Sequence, residues 1–107
     1  MKRLIAIRDP NTGNAAIGLN YSDHVDARVL VANVAEVHTI PAGANYVLFS
    51  ATGDFYVRLG EAAAIPATDV TNGSGSILNP QLRSVGALTT IGIISPTTCI
   101  VTMEFYS

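Results

Sequence analysis

The feature that most constrains the fold is an alternation of apolar and polar residues with a period of two. Near the end of the chain its apolar side consists of Cys99, Val101, Met103 and Phe105, and an earlier run has Phe55, Val57 and Leu59 on one side. Because successive side chains of a β-strand point to opposite faces, both runs predict strands that bury one face. No window carries an apolar stripe at helical spacing. The sequence therefore predicts an all-β fold.

Seven strands are predicted from these runs and from segments rich in β-branched and aromatic residues. They cover residues 2–8, 28–33, 36–40, 46–51, 54–59, 89–94 and 99–106. Only Thr52 and Gly53 separate the fourth strand from the fifth, which predicts a tight hairpin over 46–59. The tetrapeptide Pro41-Ala42-Gly43-Ala44 predicts a second hairpin turn, between the third and fourth strands.

Seven short antiparallel strands must each bury one face, and two sheets packed face to face achieve this. A chain of 107 residues can bury about 65% of its unfolded surface. We therefore expect a single domain over residues 1–107, an antiparallel β-sandwich with the jelly roll as one form of it. Residues 9–27 and 60–88 do not fit as strands and are predicted to be two long loops, which in compact domains usually have a function.

Charged residues are scarce and nearly balanced. The chain has 6 Lys+Arg and 8 Asp+Glu, and its formal net charge is -2. It therefore lacks the basic field that binds nucleic acid or an anionic membrane. The uncharged run 84–103 is long enough to span a bilayer, but Pro96 and two glycines interrupt it, and we interpret it as two strands and a turn. A surface poor in charge suits a chain covered by protein partners, although a Thr- and Ala-rich β domain has the same composition.

Catalytic and metal-binding residue types are present but stand at no recognisable spacing. The stretch 22–26 contains Ser, His and Asp, yet neighbours on one loop cannot converge on one reacting atom. His24 and His38 are the two histidines and Cys99 is the single cysteine, so neither a zinc site nor a disulfide is predicted. We expect no enzyme activity, no metal or cofactor, and no small-molecule substrate.

Several segments between residues 29 and 106 are similar to those of one group of proteins. They are 41–44, 49–58, 65–76, Asn79-Pro80 and Phe105-Tyr106. With these segments the chain resembles small virion structural proteins of tailed bacteriophages. The resemblance implies a compact β-sandwich without enzymatic activity that decorates or cements the head and binds the major capsid protein or other virion subunits. The alternative is a receptor- or carbohydrate-binding module of a tail or fibre, which would expose aromatic side chains around a concave face.

The resemblance also implies a location in the virion, after synthesis in the cytoplasm of the host bacterium. Exposed strand edges with few Lys residues favour self-association, with a trimer as the favoured state. The principal partner contact is predicted at the Gly- and Ser-rich loop 60–88, whose tip we expect a partner to order. The polar residues expected to make directional bonds there are Asp69, Asn72, Asn79, Gln81 and Arg83.

Overall fold

The computed structural model describes residues 1–8, 11 and 16–107. The regular secondary structure in these ranges consists of β-strands alone. The strands are β1 (Ala6–Arg8), β2 (Ala16–Leu19), β3 (His24–Leu30), β4 (Glu36–Thr39), β5 (Tyr46–Ala51), β6 (Tyr56–Leu59), β7 (Ile77–Leu78), β8 (Leu82–Ser84), β9 (Thr90–Ile94) and β10 (Cys99–Tyr106). Strands β1 and β2 form a separate hairpin. The others form two four-stranded antiparallel sheets, ordered β3-β10-β5-β8 and β4-β9-β6-β7. The all-β prediction is confirmed.

The eight strands after β2 pair in a nested order. The first pairs with the last, β3 with β10, and the inner pairs are β4 with β9, β5 with β8, and β6 with β7. Two further pairings, β10 with β5 and β9 with β6, join these couples into the two sheets. As a result, most strands that follow one another in the chain lie in different sheets.

One hydrophobic core is built from both sheets. Its residues include Leu30, Val47, Phe49, Phe55, Val57, Ile91, Ile93, Val101, Met103 and Phe105. The rings of Phe49 and Phe55, one from each side of the core, have centroids 5.8 Å apart. Cys99 is buried with them. The predicted inner faces of 54–59 and 99–106 are therefore confirmed.

The predicted hairpin over 46–59 is wrong. Strands β5 and β6 lie in different sheets, and Thr52-Gly53 crosses from one sheet to the other. A Cβ on Gly53 would lie 3.3 Å from the Cβ of Cys99, so glycine here permits a close approach. The 41–44 turn forms, with Gly43 at a φ of 87° and Ala44 N donating to Pro41 O, but it too joins different sheets. Alternation identifies the buried face of a strand, not the strand beside it.

Both predicted long loops contain strands. The first includes β2 and the start of β3, and the second includes β7 and β8. Strands of two and three residues, such as β7 and β8, are too short to show a period of two. The part of the first predicted loop at 9–10 and 12–15 lies outside the described residues.

The chain folds back over the outer face of the second sheet directly after β6. There it covers Gly92 in β9, whose neighbours Ile91 and Ile93 point into the core. A Cβ on Gly92 would overlap the carbonyl oxygen of Glu61 and lie 2.6 Å from the amide nitrogen of Ala63. Ala63 is itself 4% exposed. Only glycine leaves room for this crossing.

Candidate functional site

Strand β3 has its polar and apolar sides reversed relative to an ordinary edge strand. His24, Asp26 and Arg28 pair with core residues of β10 and share their side of the sheet. The apolar residues between them face solvent, where Val25 is 51% and Val29 66% exposed. An antiparallel strand normally has its polar residues outside.

The reversal creates an exposed apolar surface, which we call the valine face. It consists of Val25, Ala27 and Val29 of β3 and Ile100 of β10, which pairs with Val29. Ile100 is 42% exposed. Exposed apolar side chains that lie together, rather than singly, indicate an interaction surface.

The inward side of the same strand carries half-buried polar groups. His24 Nε2 lies 3.7 Å from Asp26 Oδ1, and the His24 ring stands edge-on to Phe105 at 5.7 Å between centroids. Arg28 Nε is buried and has no hydrogen-bond partner among the described residues. On β4, the edge strand of the other sheet, His38 Nε2 and Glu36 Oε1 lie 2.9 Å apart. Among the described residues, Arg28 Nε is the one buried side-chain nitrogen or oxygen without a hydrogen-bond partner.

Strands β1 and β2 form a projecting hairpin, which we call the N-terminal arm. They pair with each other and have at most marginal contact with any other strand. The described residues accordingly span 49 × 28 × 26 Å. Ile5 and Ile7 are 57% and 44% exposed. Leu19, 39% exposed, opposes Ala6 and so lies on the other face of the arm, which therefore exposes apolar side chains on both faces.

Hydrogen bonds hold the base of the arm against the end of β10. Tyr106 is buried there, and its hydroxyl donates to Asn20 O at 2.7 Å. Burial raises the pKa of Tyr106, and the charge of Glu104 adds to this effect. A raised phenol pKa keeps the hydroxyl protonated up to and beyond its ordinary titration range. The donor therefore persists at neutral pH.

A carboxylate forms the second contact at this base. Lys2 N donates to Asp23 Oδ1 at 2.9 Å, and this backbone bond is the main cause of a lowered pKa of Asp23. A lowered carboxyl pKa means that the contact is fully present above the ordinary value and is lost as the pH falls through the lowered one. Both contacts therefore hold the base of the arm at neutral pH.

The five predicted interface residues do not form one site. Asp69 and Asn72 line one shallow depression, and Asn79 and Gln81 line another beside residues 49–55. Arg83 lies on β8 and donates from Nη1 to Leu82 O at 2.9 Å. The tip of the loop has its own turn, in which Ser74 N donates to Asn72 Oδ1 at 3.1 Å.

Asn79 has a structural role that accounts for its side chain. Its Oδ1 accepts from Phe55 N at 3.0 Å, its Nδ2 donates to Asp54 Oδ1 at 2.9 Å, and its backbone N donates to Phe55 O. Its φ of 46° lies in the left-handed region, which asparagine tolerates better than most residues. These bonds attach the start of β6 to the chain after β7.

Asn79→Ala is expected to lower the free energy of unfolding by about 1 to 3 kcal/mol, because it leaves the Phe55 amide without its acceptor. Gln81→Ala is the control, since its side chain is exposed and its backbone bond to Phe49 N is unaffected. Urea denaturation of both variants measures the difference. If the two variants were equally stable, the side chain of Asn79 would have no structural role and could contact a partner.

The hydroxyl of Ser22, the serine of the 22–26 stretch, is occupied by backbone groups. Ser22 Oγ donates to Phe105 O at 2.7 Å, lies 3.0 Å from His24 O, and accepts from His24 N at 3.1 Å. No group of three or more His, Cys, Asp or Glu residues in the described ranges could hold a metal ion. The described ranges also contain no helix that is long and apolar enough to cross a membrane.

Sequence reasoning missed the valine face and the N-terminal arm, which are the most exposed apolar features described above. Neither surface contains any of the five predicted interface residues, which were selected for their polarity. The alternation over 24–30 indicates a strand, but it does not show whether the apolar side of that strand faces the core or solvent. No family model matches the chain, and the searches of curated proteins and of solved structures found no match. Function must therefore be argued from these surfaces.

Proposed function

We propose that the chain is a structural virion protein of a tailed phage, a head decoration or cement protein without enzyme activity. In this function it bridges subunits of the shell, and its partner is the major capsid protein. The N-terminal arm is the observation that carries the proposal. A two-stranded hairpin is marginally stable in water by itself, so an arm with Ile5, Ile7 and Leu19 exposed gains most from a protein surface that covers it.

We further infer that the two sheets form a β-sandwich of the jelly-roll type. The nested pairing supports this, because rolling up one long hairpin of eight strands pairs the first with the last and each inner strand with its mirror position. It also divides consecutive strands between two sheets. Jelly rolls occur in viral capsid proteins but also in lectin domains, so the fold supports the proposal without deciding the function.

The distribution of aromatic residues favours the shell over a carbohydrate ligand. Phe49, Phe55 and Phe105 are buried, and the exposed aromatic side chains among the described residues are Tyr21 and Tyr46, at 87% and 37%. A sugar-binding face would group several exposed rings around a concavity. Of the predicted loop residues, Asp69 and Asn72 remain candidates for polar contacts with the shell, because both are exposed.

Cosedimentation with empty heads of the phage that encodes the chain tests the proposal. The wild-type protein is expected to bind in many copies per head. Ile5→Asp with Ile7→Asp should weaken binding at least about tenfold, since it places two charges on an apolar contact. Val34→Asp with Val37→Asp is the matched control, because it also adds two charges. Val34 and Val37 are 48% and 51% exposed and lie outside the arm and the loop 60–88. Thermal melts of both variants check that the body of the protein stays folded.

Three results would overturn the proposal. The first is wild-type protein that does not sediment with heads. The second is equal binding by the arm variant and by the Val34→Asp, Val37→Asp control, which would remove the arm from the contact. The third is a handful of copies per purified virion, which would indicate the tail or fibre and the receptor-binding alternative.

A further inference from the structure

The free edge of β3 presents a row of backbone groups. Within the described part of the chain, β3 pairs with β10 and with no other strand. Ile100 O and Tyr106 O both accept hydrogen bonds from the β5 side, so even-numbered residues of β10 direct their backbone groups toward β5. The odd-numbered residues, opposite His24, Asp26, Arg28 and Leu30, therefore bond to β3. Val25, Ala27 and Val29 then direct their N–H and C=O groups away from the sheet.

These three residues are spaced symmetrically about Ala27. If a second copy of β3 approaches antiparallel along a two-fold axis at Ala27, Ala27 opposes its own copy. Val25 then opposes Val29 of the second copy, and Val29 opposes Val25. All three pairs consist of residues with outward backbone groups, and each exchanges two hydrogen bonds. The valine faces of both copies join into one apolar surface on the outer side.

The charges on the inner side match the same register. A two-fold axis at Ala27 places Asp26 opposite Arg28 of the second copy, and Arg28 opposite Asp26. These are pairs without mutual backbone bonds, in which the side chains approach most closely. Axes at Asp26 or at Arg28 would instead oppose like charges. The register at Ala27 also offers a carboxylate to Arg28, whose Nε has no hydrogen-bond partner within the described part of one copy.

We propose that the protein forms a two-fold dimer in which the β3 strands of two copies pair antiparallel about Ala27. The contact joins two four-stranded sheets into one of eight strands. It is isologous, so it gives dimers, whereas the trimer expected from the sequence requires a contact between different surfaces. The proposal does not depend on the N-terminal arm or on the shell.

Inward-pointing charges can also protect an edge strand from pairing with other chains. In that case Asp26 and Arg28 would keep the chain monomeric. The two possibilities predict different effects on association when the charges at 26 and 28 are changed. A protective pair tolerates any arrangement of charge at the edge, whereas a pairing register requires opposite charges at 26 and 28.

Sedimentation equilibrium of the full chain over a dilution series measures the association. Arg28→Asp opposes carboxylates in both symmetric pairs and should raise the dimer dissociation constant at least about tenfold. Asp26→Arg combined with Arg28→Asp restores opposite charges and should return the constant to within about threefold of wild type. Thermal melts at low concentration separate loss of pairing from loss of folding.

Ala27→Pro provides a test at the backbone. It removes the central N–H that would bond to the second copy, and it removes none of the bonds to β10, because that N–H points away from β10. It should therefore abolish the dimer while the protomer stays folded. Ala27→Thr, which keeps the N–H, is the control. A wild-type monomer or trimer would overturn the proposal, and so would a dimer that is unaffected by Ala27→Pro or by the single change Arg28→Asp. None of these results bears on binding to heads through the arm.

Discussion

Gly92→Ala is expected to lower the free energy of unfolding by at least about 3 kcal/mol, the upper end of the usual cost of overpacking. The added methyl group meets backbone atoms of Glu61 and Ala63 rather than a flexible side chain. The crossing segment must move off the sheet, or β9 must shift between β4 and β6. Chemical denaturation of the purified variant measures the loss of stability. If the loss is large enough, the variant will not accumulate as folded protein.

Gly75→Ala is the control for this change. A Cβ there has only Val70 Cγ1 within 4 Å, at 3.9 Å, and the backbone of Gly75 does not have a positive φ. Its stability should stay within about 0.5 kcal/mol of wild type, or rise slightly as the unfolded chain loses freedom. If the two variants were equally stable, residues 61–63 would not lie over Gly92 as described.

Phe55→Ala is expected to lower the free energy of unfolding by about 3 to 5 kcal/mol. Phe55 is 3% exposed and packs against Phe49 across the core, so truncation loses buried area and leaves a cavity between the sheets. Urea denaturation monitored by circular dichroism gives the value. The slope of the transition should stay close to that of wild type if the folded state keeps its structure.

Tyr21→Ala removes a ring of similar size from the surface. Tyr21 is 87% exposed, and its truncation should change stability by no more than about 0.5 kcal/mol. A loss below about 1 kcal/mol for Phe55→Ala would contradict its position in the core, and it would reverse the assignment of faces on β6.

Alternation in the sequence was sufficient to predict which residues of β6 and β10 are buried, because a period of two is a property of the single strand. It was not sufficient to predict partners. The short link at Thr52-Gly53 suits a hairpin or a crossing between sheets, and the choice depends on β10, which occupies the place beside β5. Local turn chemistry was also read correctly at Gly43, but the destination of the chain after the turn is a tertiary property.

The candidate site shows the same limit. The alternation between His24 and Leu30 is regular, but periodicity does not say which of two sides is inside. Hydrophobicity would place Val25 and Val29 in the core, whereas the structure places them in solvent. Polarity selected Asn79 for partner contacts, and its amide proved to be occupied by Asp54 and Phe55. Residue type alone does not distinguish a polar group available to a ligand from one that holds a turn.

The nested order of the strands has a consequence for how the chain acquires its structure. β10 is synthesised after the other described strands, yet it lies between β3 and β5 in the first sheet, with Phe105 opposite His24. Until it emerges from the ribosome, β3 and β5 each lack a neighbour, and their edges and core faces are open to other nascent chains. Pairings between residues so distant in sequence form slowly. The first sheet can therefore be completed only once β10 has emerged, and until then aggregation competes with folding.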